Sequence, residues 1–65
     1  MLLYGSTRRV DPHMPVEVSH DGEWCEGWLE AWRQDEDGWR AYVRYKADVG
    51  MTYLTWVNSD DLRPL

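Results

Sequence analysis

This chain of 65 residues has no phenylalanine, no second cysteine, no excess of basic residues and no long apolar run. The lone cysteine excludes an intramolecular disulfide, and because small secreted domains usually depend on disulfides, we predict a reducing, cytoplasmic location. The apolar run at residues 1–3 is too short for the core of a signal peptide, and no stretch is long enough to cross a membrane, so no membrane partner is predicted. Twelve acidic residues against seven basic ones give a net charge of -5, which disfavours broad affinity for phosphate backbones.

Motifs for catalysis and for cofactor or metal binding are missing as well. The sequence has no glycine-rich phosphate loop, and no carboxylate pair stands out from the general acidity. Cys25 lacks the base and the electropositive setting that a nucleophile needs, so we predict a buried apolar residue. The spacing of His13, His20 and Cys25 matches no familiar metal site. We therefore predict that the protein is not an enzyme and has no cofactor or metal.

Aromatic residues are what the chain has in quantity, with five Trp and four Tyr. A domain of this size buries only about 60% of its unfolded surface, so its marginal stability depends on a few large side chains. Four of the five tryptophans lie in residues 21–46, where an Asp-Gly pair at 37–38 separates two aromatic-rich runs. Because Asp-Gly between apolar runs is a strong hairpin signal, we predict that this stretch is a hairpin around which the domain is organised.

The first arm of that hairpin, residues 24–33, fits two periods. As a strand, it places its three tryptophans on one face and turns the side chains at 25, 27, 29 and 31 towards the interior. As a helix, it gathers the same tryptophans into one apolar stripe, and they become core. Gly27 costs a helix about 1 kcal/mol relative to alanine, and the second arm, residues 39–46, is rich in strand formers. We favour the strand.

The remaining segments are short and separated by turn residues. Residues 1–14 show no sustained period and contain structure-breaking prolines, so we predict a flexible N-terminal arm. Residues 58–61 have the composition of a turn or a single 3₁₀ turn. With the hairpin, the predicted strands are residues 16–19, 24–33, 39–46, 52–57 and 62–65, which together suggest a small all-β barrel.

Four motifs occur in an informative order: VEV at 16–18, DGEWCEGWL at 21–29, WRAYVRY at 39–45 and WVNSDDLRP at 56–64. Their order and spacing resemble the Tudor/Agenet-type SH3-like barrel, and the DLRP at 61–64 is the most telling part of the resemblance. It covers residues 15–65. The resemblance implies a small five-stranded SH3-like barrel over residues 15–65, preceded by the arm at 1–14.

Tudor-type domains often hold methylated lysine or arginine in an aromatic cage, through cation–π attraction. Tyr45 matches the cage position at the end of the third strand. The other cage aromatics fall near Val18, at Cys25 and near Asp48, none of which is aromatic. The resemblance therefore implies the fold more strongly than this ligand.

The predicted binding surface is the outward face of the hairpin. If alternate residues of its first arm fill the barrel, the tryptophans point outward and face arginines and a tyrosine across the hairpin, which are the residue types enriched at binding hot spots. The alternative is that Trp28 and Trp32 lie beneath arginine stems or the N-terminal arm. The predicted surface consists of Trp24, Trp28, Trp32, Arg40, Tyr42, Arg44 and Tyr45.

We predict a non-enzymatic interaction module that binds a peptide or protein through this surface. One alternative is a nucleic-acid-binding accessory domain, in which aromatics stack on bases beside a basic stripe. A second alternative is a small structural protein whose tryptophan face closes a symmetric homodimer. The basic stripe would consist of Arg8, Arg9, Arg33, Arg40, Arg44 and Lys46.

Overall fold

The computed structural model describes residues 7–65 as an all-β chain. In chain order its elements are β1 (Thr7–His20), β2 (Glu23–Asp35), β3 (Gly38–Asp48), β4 (Met51–Asn58), a 3₁₀ turn (Ser59–Asp61) and β5 (Leu62–Pro64). The strands form one antiparallel sheet in the order β4-β3-β2-β1-β5, and the sheet curls into a half-barrel. The five predicted strands and the predicted 3₁₀ turn are confirmed, and the helix alternative for residues 24–33 is wrong, because β2 spans them.

Two-residue turns join the first three strands. The turn between β1 and β2 consists of Asp21 and Gly22, which have φ angles of 51° and 82°. Positive φ at both central positions defines a type I′ turn, whose twist matches that of the flanking strands. The turn predicted at the Asp-Gly pair 37–38 follows β2, where Asp35 pairs with Gly38 across Glu36 and Asp37. Local turn chemistry thus fixes the order of neighbouring strands along the chain.

One side of the half-barrel holds the hydrophobic core, and we call it the concave face; the other side is the convex face. Side chains alternate between the faces along a strand, so each strand contributes every second residue to the core. The buried core cluster consists of Val16, Val18, Leu29, Ala41, Val43 and Tyr45. No polar or charged side chain is buried among residues 7–65. The free Cys25 is half-buried and packs against this cluster, close to the buried position predicted for it.

A β-bulge at Glu30 changes the face to which the second half of β2 turns its side chains. Leu29 pairs with Val43, but Ala31 pairs with Tyr42, so Glu30 is an extra residue between the two pairs. One extra residue exchanges the faces of every residue that follows it. The alternation predicted for residues 24–33 therefore holds only as far as Leu29.

Strand β1 begins at Thr7, inside the segment predicted to be a flexible arm. Its first residues pair with the end of β2, as in the pair between Arg9 and Ala31, and after an irregular stretch pairing resumes with Met14 and Leu29. The part of the predicted arm at residues 1–6 lies outside the described residues. The structure therefore places residues 7–14 in the sheet.

Candidate binding surface

The convex face carries a row of side chains that crosses four strands at the middle of the sheet. Trp28 of β2 pairs with Pro15 of β1 and with Arg44 of β3, and Arg44 in turn pairs with Leu54 of β4. Directly paired residues point to the same side of a sheet, so these four side chains lie together. Trp28 is 48% exposed and Leu54 is 51% exposed. The row is thus an apolar band with one cation in it.

Arginines cover two of the three tryptophans on the convex face. The guanidinium carbon of Arg63 lies 4.0 Å from the ring centre of Trp24, and that of Arg33 lies 4.5 Å from the ring centre of Trp56. Both distances are within the range of cation–π attraction. Among residues 7–65, no guanidinium lies over the ring of Trp28. The predicted alternative, in which Trp28 and Trp32 lie beneath arginine stems, therefore does not hold for Trp28, and the tryptophans that arginines cover are Trp24 and Trp56.

Arg44 leaves Trp28 uncovered because its side chain is held elsewhere. Although Arg44 pairs with Trp28 in register, its guanidinium lies 2.9 Å from a carboxylate oxygen of Glu30. Glu30 is the bulge residue, and its side chain is half-buried. His13 approaches the same carboxylate oxygen from β1, at 3.9 Å. The bulge thus places a carboxylate where it draws the nearest cation away from the tryptophan ring.

A groove of about 610 Å³ lies beside Trp28. Its base is the paired backbone of Gly27 and Tyr45, because Gly27 has no side chain and that of Tyr45 turns to the core. The groove is lined by Pro15, Glu26, Gly27, Trp28, Arg44, Tyr45, Lys46, Thr52 and Leu65. Its walls are mainly apolar, and neither Glu26 nor Lys46 forms an ion pair with any other residue in the described part of the chain. The groove therefore offers an open aromatic wall and one unpaired charge of each sign.

Tyr42 and Arg40 lie on the convex face, as predicted, but further along the sheet than Trp28. The ring of Tyr42 packs against that of Trp56, with 4.8 Å between ring centres. Arg40 forms an ion pair with Asp35 at 3.3 Å, and Arg33 contacts the other oxygen of the same carboxylate at 3.1 Å. Both predicted residues are thus engaged in contacts within the domain.

Trp32 does not share a face with Trp24 and Trp28, which corrects the prediction of one tryptophan surface. Because of the bulge at Glu30, Trp32 pairs with the core residue Ala41 and packs against the core on the concave face. Its ring meets that of Trp39 edge-on, with 6.2 Å between ring centres. The two rings line a separate cleft of about 410 Å³ with Arg8 and Ser59.

Tyr45 also departs from its predicted place, since it lies in the core and is only 6% exposed. Its ring stacks on Tyr53, and its hydroxyl lies 3.1 Å from Nδ1 of His20. Nε2 of His20 lies 3.5 Å from a carboxylate oxygen of Asp21. A hydrogen on Nε2 would face this carboxylate, and in that tautomer the Tyr45 hydroxyl donates to Nδ1. The rings of His20, Tyr45 and Tyr53 contact one another and leave no open cage between them.

Burial raises the pKa of the Tyr45 hydroxyl above its ordinary value of 10.0, and the negative charge that Cys25 and Tyr53 acquire at high pH acts in the same direction. The unfolded chain loses this proton first, so stability linked to Tyr45 is complete below pH 10.0 and is lost as the pH rises through the folded-state pKa. We expect the free energy of unfolding to fall above pH 10.0, and Tyr45→Phe to reduce the slope. Denaturant titrations of the parent and of Tyr45→Phe at a series of alkaline pH values check this prediction. Equal slopes of the free energy of unfolding against pH would contradict it.

The predicted basic stripe is interrupted in the structure. Arg33 and Arg40 share the carboxylate of Asp35, and Arg44 is paired with Glu30. Arg8 pairs with Trp32 and so lies on the opposite face from these three. Three of the six predicted cations are thus engaged in ion pairs, and a fourth lies on the other face.

Two further findings concern metal and membrane. Within residues 7–65, no three or more His, Cys, Asp or Glu side chains lie close enough together to hold a metal ion. His13 contacts Glu30 on the convex face, whereas His20 contacts Tyr45 beside the core. In the same part of the chain, no helix is long and apolar enough to cross a membrane. The cytoplasmic location stays a prediction.

Comparison with protein-family models, curated proteins and solved structures finds no match for the chain.

Proposed function

We propose that this chain is a non-enzymatic interaction module with an SH3-like, Tudor-like barrel, which binds a peptide or a segment of a protein in the groove beside Trp28. The order of the sequence motifs and the five-stranded curled sheet support the family. The observation that carries the function is that Trp28 is 48% exposed, is uncovered by any described cation and forms the wall of the groove.

The composition of the groove indicates what it binds. An apolar or aromatic side chain of the ligand packs against the face of Trp28, since tryptophan buries a large area at small cost in side-chain entropy. Glu26 and Lys46 lie near this wall without internal ion pairs, and they orient a ligand with polar groups on both sides of its apolar anchor. A groove of this kind fits a short segment of chain better than a small metabolite, because it is open along the sheet.

Trp28→Ala is expected to weaken the binding of peptides selected against the parent domain by at least about tenfold, as loss of a central tryptophan anchor typically does. Peptides are selected from a random display library, and their affinities for parent and variant are then measured by titration. Circular dichroism checks that the two proteins fold alike.

Trp24→Ala is the matched control for this experiment. Trp24 lies on the same strand and the same face as Trp28 and is 41% exposed, but it does not line the groove. Its substitution is expected to leave affinity within about threefold of the parent, as is usual for residues outside an energetic hot spot. Failure to select any peptide, or an equal loss in both variants, would overturn the proposal.

A further inference from the structure

The two edges of the sheet differ in how they are protected against pairing with another strand. Natural proteins shorten edge strands or place charged residues and proline on them, because an open edge presents unpaired backbone groups. Strand β5 has all three features, since it is three residues long and contains Arg63 and Pro64. Strand β4 has none of them: its eight residues include no proline and no charged side chain.

Strand β4 is also open on one side. It is the outermost strand of the sheet and pairs with β3 alone within residues 7–65. Its sequence is rich in Thr, Tyr, Trp and Val, which favour the extended conformation. Its side chains remain accessible, and Met51 and Leu54 are 49% and 51% exposed. An uncharged edge of this length is a ready template for a further strand.

We propose that β4 pairs antiparallel with β4 of a second copy of the chain, which gives a two-fold symmetric dimer with one continuous ten-stranded sheet (two copies of the five-stranded sheet). This interface uses the open edge of β4, whereas the groove beside Trp28 lies on the convex face, with Thr52 of β4 in its lining. It also differs from a homodimer closed by a tryptophan face. It uses backbone hydrogen bonds between the edges in place of aromatic packing between faces.

The sequence of β4 is complementary to itself in a register centred on Thr55. A sheet register must keep side chains of one face together, so only residues that share a face can be opposite each other. With Thr55 opposite Thr55 of the second copy, Leu54 lies opposite Trp56 on the convex face and Tyr53 lies opposite Val57 on the concave face. Aromatic residues opposite aliphatic or β-branched ones, and Thr opposite Thr, are favourable cross-strand pairs.

Charge favours a second copy as the occupant of this edge. The chain carries a net charge of -5, so most contacts between two copies bring like charges together. Among the strands of residues 7–65, β4 alone has no charged residue, so pairing between two β4 strands avoids this repulsion. The edge also offers no charge by which a foreign acidic or basic strand would be selected. In the proposed register, Leu54 of the second copy would lie beside Trp56, which already packs against Tyr42.

The test uses sedimentation equilibrium of the whole chain over the micromolar-to-millimolar range, where small edge-to-edge interfaces dissociate. For the parent, the mass is expected to rise with concentration from 7.8 kDa towards twice that value. Thr55→Lys and Thr55→Glu are each expected to remain monomeric, because the two-fold axis puts identical charges opposite each other. An equimolar mixture of the two variants is expected to regain the dimer.

Val49→Lys and Val49→Glu are the matched controls. Val49 lies in the turn before β4 and is fully exposed, so the same changes of charge there are expected to leave association unchanged. Thr55 is exposed as well, and circular dichroism verifies that its variants fold. A parent that stays monomeric at the highest concentration would overturn the proposal. So would a dimer that survives both Thr55 substitutions, or a mixture that stays monomeric.

Discussion

Replacement of Gly27 by alanine is expected to lower the free energy of unfolding by about 1–3 kcal/mol, the usual cost of forcing extra atoms into a packed site. A Cβ atom at this position would lie 2.4 Å from the carbonyl oxygen of Arg44 and 2.6 Å from Cβ of Tyr45. Neither neighbour is the end of a flexible side chain, so β2 and β3 must move apart. For a domain whose whole stability is of the order of 5 kcal/mol, this loss is large. Urea denaturation followed by tryptophan fluorescence measures it.

Gly27→Val separates this close approach from the general effect of glycine on a strand. If the site had room, valine would stabilise β2, because β-branched residues favour the extended conformation and glycine does not. If the close approach of Arg44 and Tyr45 to Gly27 determines stability, Gly27→Val is expected to be less stable than Gly27→Ala. A valine variant as stable as the parent would show that the strands are not in contact at this point.

The strands themselves follow from local signals in the sequence. The Asp-Gly pair at 21–22 and the acidic turn before Gly38 fix two hairpins, and alternation of apolar residues in 39–46 indicates a strand between buried and exposed surfaces. These features depend on neighbours in sequence, so reading the sequence alone recovers them. The prolines of residues 7–14 interrupt any period and predict an arm, although residues 7–9 and 14 still pair with β2.

The face of Trp32 could not be predicted from spacing, because tryptophans four residues apart share a face in an unbroken strand. The bulge at Glu30 depends on how β2 pairs with β1 and β3 along its length, which the residues next to Glu30 in the sequence do not determine. One trace of it is visible in the sequence of β3, where Tyr42 breaks the alternation of apolar and polar residues, and Tyr42 pairs with Ala31.

The core position of Tyr45, in contrast, could be predicted from the sequence. Ala41, Val43 and Tyr45 are alternate residues of β3, so their side chains share a face, and all three are buried. The resemblance to a cage position led Tyr45 to be assigned to the binding surface. The contact of Arg63 with the ring of Trp24 could not be predicted in this way. The two residues are far apart in the chain, and only the pairing of β1 with β5 brings them together.

Tyr45→Ala is expected to lower the free energy of unfolding by about 3–5 kcal/mol, the range found when a buried aromatic ring is removed. The ring is the largest in the core cluster, and its loss removes a packing contact from both Tyr53 and His20. The cost is comparable with the stability of so small a domain, so a substantial fraction of the variant is expected to be unfolded at 25 °C. Thermal and urea denaturation measure the change.

Two variants define what the Tyr45→Ala result means. Tyr45→Phe keeps the ring and removes only the hydrogen bond to His20, so its expected cost is about 0.5–1.5 kcal/mol. Trp28→Ala removes a larger side chain from the convex face, but Trp28 is 48% exposed, and its loss is expected to reduce binding far more than stability. If Tyr45→Ala is as stable as Trp28→Ala, then Tyr45 is not a core residue, and the surface predicted from the sequence includes it after all.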